Sequence, residues 1–239
     1  MDRDLANAFE ATWPAAEYAR AGGFLVGRGL GAGGRVSSAR VDGDWVGDDI
    51  DRAAQIHAGW GQVPMFRALD QDQDLIAALE QRGYRRETPT AILDIAAADL
   101  TDCAIPPVTT FCVWPPMAIQ RDIWAAGNIT RARQAVMDRV PAPKTAILGR
   151  VEDRAAAAAF VAIQGPVAML HGIEVLDRWR RRGLARWVVR QAAFWAQEQG
   201  ASRLGLAVSR ANTGARALYD AMGFREAAGY GYYARRDKD

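Results

Sequence analysis

The stretch Arg178-Trp179-Arg180-Arg181-Arg182-Gly183-Leu184-Ala185-Arg186 decides how the second half of this chain is read. Gly183 and the small Ala185 let a backbone turn approach a ligand closely, and the residues after Gly183 have the period of a helix. Leu184, Val188, Ala192 and Trp195 repeat at i, i+4, i+8 and i+11, an apolar stripe that would anchor the turn against a sheet. The first N–H groups of such a helix have no partner within it and point outward, where they attract phosphate. Five arginines, Arg178, Arg180, Arg181, Arg182 and Arg186, add charge around them. Taken alone, the cluster reads as either an anion site or a solvated basic helix start.

Outward from the turn, strands are expected at 145–151, 155–164 and 167–175, with a strand up to Trp114 and helices across 119–140 before them. After the turn come a helix to Gln199, a strand at 203–208, a helix at 213–222 and a last strand near 230–235. The first half reads as a helix at 5–20 and a hairpin of 24–27 with 36–41. A helix at 50–58, a strand at 63–69, a helix at 74–82 stopped by Gly83 and a strand at 84–95 come next. A strand meander followed by helix-strand alternation implies an α/β (α+β) fold on a mixed sheet. Between 96 and 110 periodicity is lost and Pro106-Pro107 stand together, so a boundary is expected near 105, giving domains 1–105 and 106–239.

Composition narrows the function classes. Half of the 239 residues are apolar, and 30 Lys and Arg against 28 Asp and Glu leave a net charge of only +2, so no nucleic-acid partner is expected. The amino-terminal residues lack an apolar core of signal length and no apolar run is long enough to span a bilayer, so a cytoplasmic protein with no membrane partner is expected. Cys103 and Cys112 are too few for a disulfide framework and read as buried or idle thiols. His57 and His171 lie far apart without paired ligand spacing, so no metal is expected.

Residues 72–85 align with 212–225 at an offset of 140, with Gly83 and Gly223 closing equivalent helices, which suggests a tandem repeat. Leu79 then takes the place of Tyr219. The glycines of 28–34 imitate a phosphate loop, but Arg35 to Val41 alternates like a strand and supplies no helix end. The helix equivalent to the one after Gly183 would start near 44–49 among Asp42, Asp44, Asp48, Asp49 and Asp51, which would repel a diphosphate. The first half is therefore expected to keep the shape without the chemistry, as a lid, an acceptor-site wall or a dimer surface, a homodimer being one outcome.

Arg180, Gly183 and Ala185 fit the pattern Gln or Arg, two residues, Gly, one residue, Gly or Ala. The later segment Asn212-Thr-Gly-Ala-Arg-Ala-Leu-Tyr219-Asp-Ala-Met-Gly-Phe224 comes after it at matching spacing. In these two motifs the chain resembles the GCN5-related N-acetyltransferase (GNAT) family, clearly over 145–235 and more loosely from 108. It departs at Asp177, where many members have proline. The resemblance implies a mostly antiparallel sheet flanked by helices and acetyl-CoA as cosubstrate. Val175 would hold the pantetheine arm, Arg180, Arg181, Arg182, Gly183, Leu184, Ala185 and Arg186 the diphosphate, and an unidentified amine would be the acceptor.

Asn212 and Tyr219, about two helical turns apart, would face one ligand. The resemblance implies that Tyr219 protonates the departing thiolate; the alternative is a packed core tyrosine. Glu174, placed with Leu170 and Gly172 on one strand face, is the candidate base, its alternative being an edge-strand salt bridge. His171 would face the other way and pack. Trp13, Trp45, Trp60, Trp114 and Trp124 could line an acceptor cleft or fill the core. The rival to catalysis is a CoA-binding regulatory or scaffold module.

Overall fold

Residues 1–141 and 143–235 are described by a computed structural model. Asp2 accepts the Leu5 N–H at 3.0 Å and starts α1 (Arg3–Ala11), which is shorter than the helix expected over 5–20. Thr12 caps it, and Pro14, which lacks an N–H and disfavours helical backbone at the preceding residue, ends it. The residues after the proline form β1 (Glu17–Ala21), paired antiparallel with β2 (Phe24–Arg28) across Gly22-Gly23. The strand expected over 36–41 is split: Gly34–Ser37 is a single helical turn, α2, and only Ala39–Val41 is strand, β3. Next come α3 (Gly47–Gly59), β4 (Met65–Leu69), α4 (Gln73–Gln81) and β5 (Arg85–Ala96), close to expectation.

A 3-10 turn (Ala97–Leu100) anchors Ala97 and Leu100 in the core before the segment that carries the two prolines. The second half runs β6 (Thr110–Val113), α5 (Ala118–Ala126), α6 (Arg131–Arg139), β7 (Lys144–Val151), β8 (Arg154–Gln164), β9 (Val167–Val175), α7 (Leu184–Glu198), β10 (Arg203–Ser209), α8 (Thr213–Ala221) and β11 (Arg225–Ala234). Strand β8 is buried along almost its whole length, which its alanine run permits because α7 packs on one side and α1 and α5 on the other.

The chain forms two compact units. The larger holds Met1–Trp13, Ile92–Val208 and Asn212–Ala227; the smaller holds Pro14–Ala91, Ser209–Ala211 and the chain from Ala228 onward. Strand order in the larger unit is β5-β10-β9-β8-β7-β6, and in the smaller β1-β2-β3-β4-β11. Each unit thus takes one strand from the other half of the sequence: the end of β5 lies beside β10, and β11 pairs with β4, Tyr230 opposite Leu69 and Ala234 opposite Met65. The residue-105 position falls within the span of the larger unit.

Most of the described pairings are antiparallel, and each unit contains a parallel pair, β3 with β4 and β9 with β10, joined through α3 and α7 respectively. Helices α4 and α8 share the offset of 140 residue for residue, and their capping residues Asp72 and Asn212 have nearly the same backbone angles. Gly83 and Gly223 after them both have positive φ, 83° and 88°. The smaller unit packs Phe24, Val26, Ile50, Phe66, Leu75, Leu79 and Tyr233 into its own core.

Candidate active site

Strands β9 and β10 pair only from Val167 with Arg203 to Leu170 with Leu206, and past that point no register joins them. The opening beyond Leu170 is flanked by the carboxyl-terminal part of β9. There β9 holds one residue more than β8: Phe160 faces His171 and Ala158 faces Glu174, so two steps on β8 match three on β9. Gly172, at φ 54°, takes the left-handed conformation such a bulge requires. The indole N–H of the fully buried Trp124 on α5 donates to the Gly172 carbonyl at 2.8 Å and fixes the bulge.

The extra residue reverses the alternation expected for β9. Directly opposed residues share a face, so Glu174 lies on the side of Ala158, Phe160 and His171 rather than that of Leu170. Val175, opposite Ala157, lies on the other side, the one where Leu184 and Val188 of α7 approach. Strand β9 therefore presents Val175 to the turn side and Glu174 to the α1 and α5 side.

Glu174 is largely covered, its side chain 15% exposed. One carboxylate oxygen accepts from Arg180 at 3.0 Å. The other lies against Gly127, the residue that ends α5: a Cβ there would come within 2.2 Å of it. The salt bridge of the alternative reading is present, and so is the partial cover that the base reading requires; β9 is an inner strand of the sheet, but at Glu174 its register is with β8 alone. His171 is buried. The Thr12 hydroxyl gives its proton to the Ala8 carbonyl at 2.6 Å, so the 2.9 Å contact between Thr12 and His171 Nε2 has the ring as donor. Trp13 packs 5.0 Å from the His171 ring, and Trp114 packs 5.8 Å from Phe160 under the ammonium of Lys144. Trp124 is core, while Trp45 and Trp60 belong to the smaller unit, against Phe24 and Arg28.

The turn itself is built as the sequence suggests. Asp177–Trp179 makes a short 3-10 turn, Arg181 has φ 64°, and Gly183 caps α7 in the left-handed region at φ 78°. Leu184, Val188, Ala192 and Trp195 are buried, so the stripe does hold the helix start. A Cβ built on Gly183 meets nothing within 4 Å, so its surface is open. Arg180, Arg181, Arg182 and Arg186 are exposed around it, and no acidic residue occupies the first turn of α7. Open backbone donors, four exposed cations and a splayed strand pair suit a diphosphate joined to an extended arm.

Asn212 is the N-cap of α8, its side-chain oxygen accepting the Ala215 N–H at 3.1 Å, so only its amide group is left to face a ligand. Tyr219 is buried, with its ring 5.6 Å from that of Phe224, and burial pushes its phenol up to about 12. Its hydroxyl has no hydrogen-bond partner among the described residues, unlike the bonded core tyrosine of the alternative reading. Cys103 and Cys112 are free and at the surface rather than buried. No described helix is long and apolar enough to cross a membrane.

From the sequence, Gly172 is placed beside Glu174, and Trp124 in a cleft or the core, but the bulge at Gly172, the Trp124 bond that fixes it and the closeness of Gly127 to Glu174 escape such a reading. A glycine inside an otherwise apolar strand was the available signal for the first; nothing local marks the other two, whose partners are 48 and 47 residues away.

The family model described as "Acetyltransferase (GNAT) family" matches residues 117–224, which include the bulge, the turn and Tyr219. An aminoglycoside N(6')-acetyltransferase type 1 of Serratia marcescens is 31% identical over 130 residues, covering 50% of this chain and 89% of that protein. One from Acinetobacter baumannii is 33% identical over 70 residues, 29% of this chain and 48% of that protein. Among solved structures, a GCN5-related N-acetyltransferase from Kribbella flavida superposes with a TM-score of 0.73 at 18% identity, covering 99% of this chain and 93% of that one. A tandem GNAT protein from the clavulanic acid biosynthesis pathway gives 0.61 at 15% identity, over 84% and 76%. At such identities the structures speak for the fold.

Proposed function

Since this chain belongs to the acetyltransferase (GNAT) family and transfers an acetyl group from acetyl-CoA to an amine, we propose that its acceptor is a primary amine of an aminoglycoside-like small molecule. The observation that carries the acceptor class is the 31% identity to the Serratia enzyme over nearly nine-tenths of its length. Residues 106–239 form the acetyltransferase domain, and residues 1–105 are a degenerate repeat of it without catalysis. A homodimer through that repeat is compatible with this assignment.

In this reading the backbone of Val175 holds the pantetheine arm. The N–H groups of Arg181, Arg182, Gly183, Leu184 and Ala185 and the side chains of Arg180, Arg181, Arg182 and Arg186 hold the diphosphate, the N–H groups of Arg180 and Arg186 being taken by the Asp177 and Gly183 carbonyls, and the amide of Asn212 faces the same ligand. Glu174, on the opposite side of β9, takes the ammonium proton directly or through water, so that the free amine can attack the thioester carbonyl. The C–N bond forms as the C–S bond breaks; Tyr219, whose burial favours the protonated phenol, gives its proton to the departing thiolate and takes back the second proton that the attacking nitrogen loses. No covalent enzyme intermediate is required.

Mixing the chain with acetyl-CoA and kanamycin A, which carries a 6′-amine, should release free thiol in proportion to acetylated product. Paromomycin, with a hydroxyl at that position, should give slower release. Equal release from both means that the acylated amine is not the one at the 6′ position. Release with neither these nor simple polyamines, while CoA still binds, turns the chain into a non-catalytic CoA module.

A further inference from the structure

Arg180 touches both sides of the proposed reaction. Its Nε donates to the Val175 carbonyl at 3.0 Å, and one terminal nitrogen donates to Glu174 at 3.0 Å. The same nitrogen lies 2.9 Å from Asp177. One guanidinium thus covers the carbonyl assigned to the pantetheine arm and the carboxylate assigned to the base, and it is also the first cation of the diphosphate turn. We propose, resting on the functional reading above, that Arg180 is a positioning residue shared in competition between Glu174 and the cofactor diphosphate, so that binding acetyl-CoA releases the base.

The two acidic neighbours are unequal partners. The Asp177 side chain is 87% exposed, and an ion pair in that setting contributes almost nothing. Glu174 is mostly covered, screened little by water, and pressed on its other oxygen by Gly127. It cannot swing far to follow the guanidinium. Arg180 is the member with room to turn: its side chain is 54% exposed, against 15% for Glu174. A diphosphate offers it more negative charge than one carboxylate and the same bidentate geometry. When the guanidinium turns to the diphosphate, Glu174 loses its counter-ion and is left as the acceptor for an incoming ammonium.

Competition for one cation predicts a signature in cofactor binding alone, with no acceptor present. Calorimetric titration of the full chain with CoA is the measurement. Glu174→Gln, which keeps the shape and removes the competing charge, should tighten CoA about three- to tenfold although it abolishes the base. Arg180→Ala should weaken CoA about tenfold, and in that background Glu174→Gln should change affinity less than about 1.5-fold, because sites coupled through one group lose their coupling when it is removed. Arg180→Lys, which retains the charge with a single ammonium, should restore part of the Glu174→Gln effect, and Arg180→Gln, which keeps the length and loses the charge, replaces the alanine variant should that chain not fold. An unchanged or weakened CoA affinity in Glu174→Gln overturns the proposal, as does the same gain with and without Arg180. A chain that binds no CoA at all overturns the cofactor reading of the turn along with it, whereas binding without this coupling overturns only the shared guanidinium.

Discussion

Two helices in this chain begin at equivalent places in the repeat and treat negative charge in opposite ways. Helix α7 begins after a left-handed glycine, with open space over Gly183, no acid in its first turn and arginines on all sides. Helix α3 begins with Asp48 and Asp49, and Asp49 folds back into its own helix end. Its carboxylate accepts the N–H of Val46 at 3.1 Å and of Gly23 at 3.2 Å, and its other oxygen takes the Arg52 guanidinium. Those backbone bonds hold the Asp49 carboxyl below the usual range. A helix end that has closed on a carboxylate of its own no longer offers its dipole to a bound anion. Glycine plays matching parts: a Cβ on Gly22 would strike Asp49 at 2.1 Å, as one on Gly127 would strike Glu174 at 2.2 Å. The same fold element is thus the proposed diphosphate site in one repeat and a structural clasp in the other.

The largest effect is expected where the repeats differ in chemistry rather than charge. Tyr219→Phe should lower kcat about a hundredfold while leaving CoA affinity within about twofold, the pattern of a proton donor used only in the transition state. Its counterpart Leu79 is core, and Leu79→Phe should leave CoA binding and kcat unchanged once folding is allowed for. Equal turnover of the Tyr219→Phe chain under conditions where chemistry limits the rate would make the two helices alike.

Next comes the clasp. Asp49→Ala strands two covered backbone donors at the start of α3 and should lower the melting temperature by several degrees, a loss concentrated in the smaller unit. Because folding lowers this carboxyl below its unfolded value, its contribution is complete above about pH 4 and disappears as pH falls through the folded value. The parent and the variant should therefore converge in stability under acid. Calorimetry should still count one CoA per chain, since removing Asp49 supplies no arginines; a second equivalent would break the distinction between the two helix ends.

Periodicity disclosed most of the elements because the apolar stripes of α4, α7 and α8 and the strands around them are local patterns. Strand β1 was hidden because Glu17-Tyr-Ala-Arg-Ala is short and mostly exposed, and it pairs through a Gly-Gly turn that carries no apolar signal. The turn at 180–186 was legible because its chemistry is contiguous. The side of β9 on which Glu174 lies was not, since a single inserted residue at Gly172 reverses it and only pairing with β8 exposes that. The aspartates of α3 were legible as a block of charge, but their closure onto Gly23 depends on a residue 26 positions earlier.

A smaller effect tests the open end of α7. Gly183→Ala meets no neighbour, so its cost is the left-handed backbone alone, about 1 kcal/mol, read by denaturant unfolding. Gly22→Ala should cost more, because there the Cβ also displaces Asp49. Equal losses at the two glycines would mean that Asp49 moves aside freely and is not a clasp.

The smallest change should come from Arg182, and its dependence on salt is informative. Its guanidinium pairs with Glu152 at 2.6 Å and lies over the Trp179 ring, but the pair is largely exposed, so Arg182→Glu should alter stability by no more than about 0.5 kcal/mol. For CoA it reverses one of four charges around the turn and leaves every backbone donor in place, so affinity should fall about fivefold at low ionic strength. Screening weakens the side-chain contribution and spares the backbone contacts, so that gap should narrow towards about twofold near roughly 0.5 M salt. A gap that persists at high salt would mean that Arg182 shapes the turn instead of lending it charge, and the contrast with α3 would then rest on backbone geometry alone.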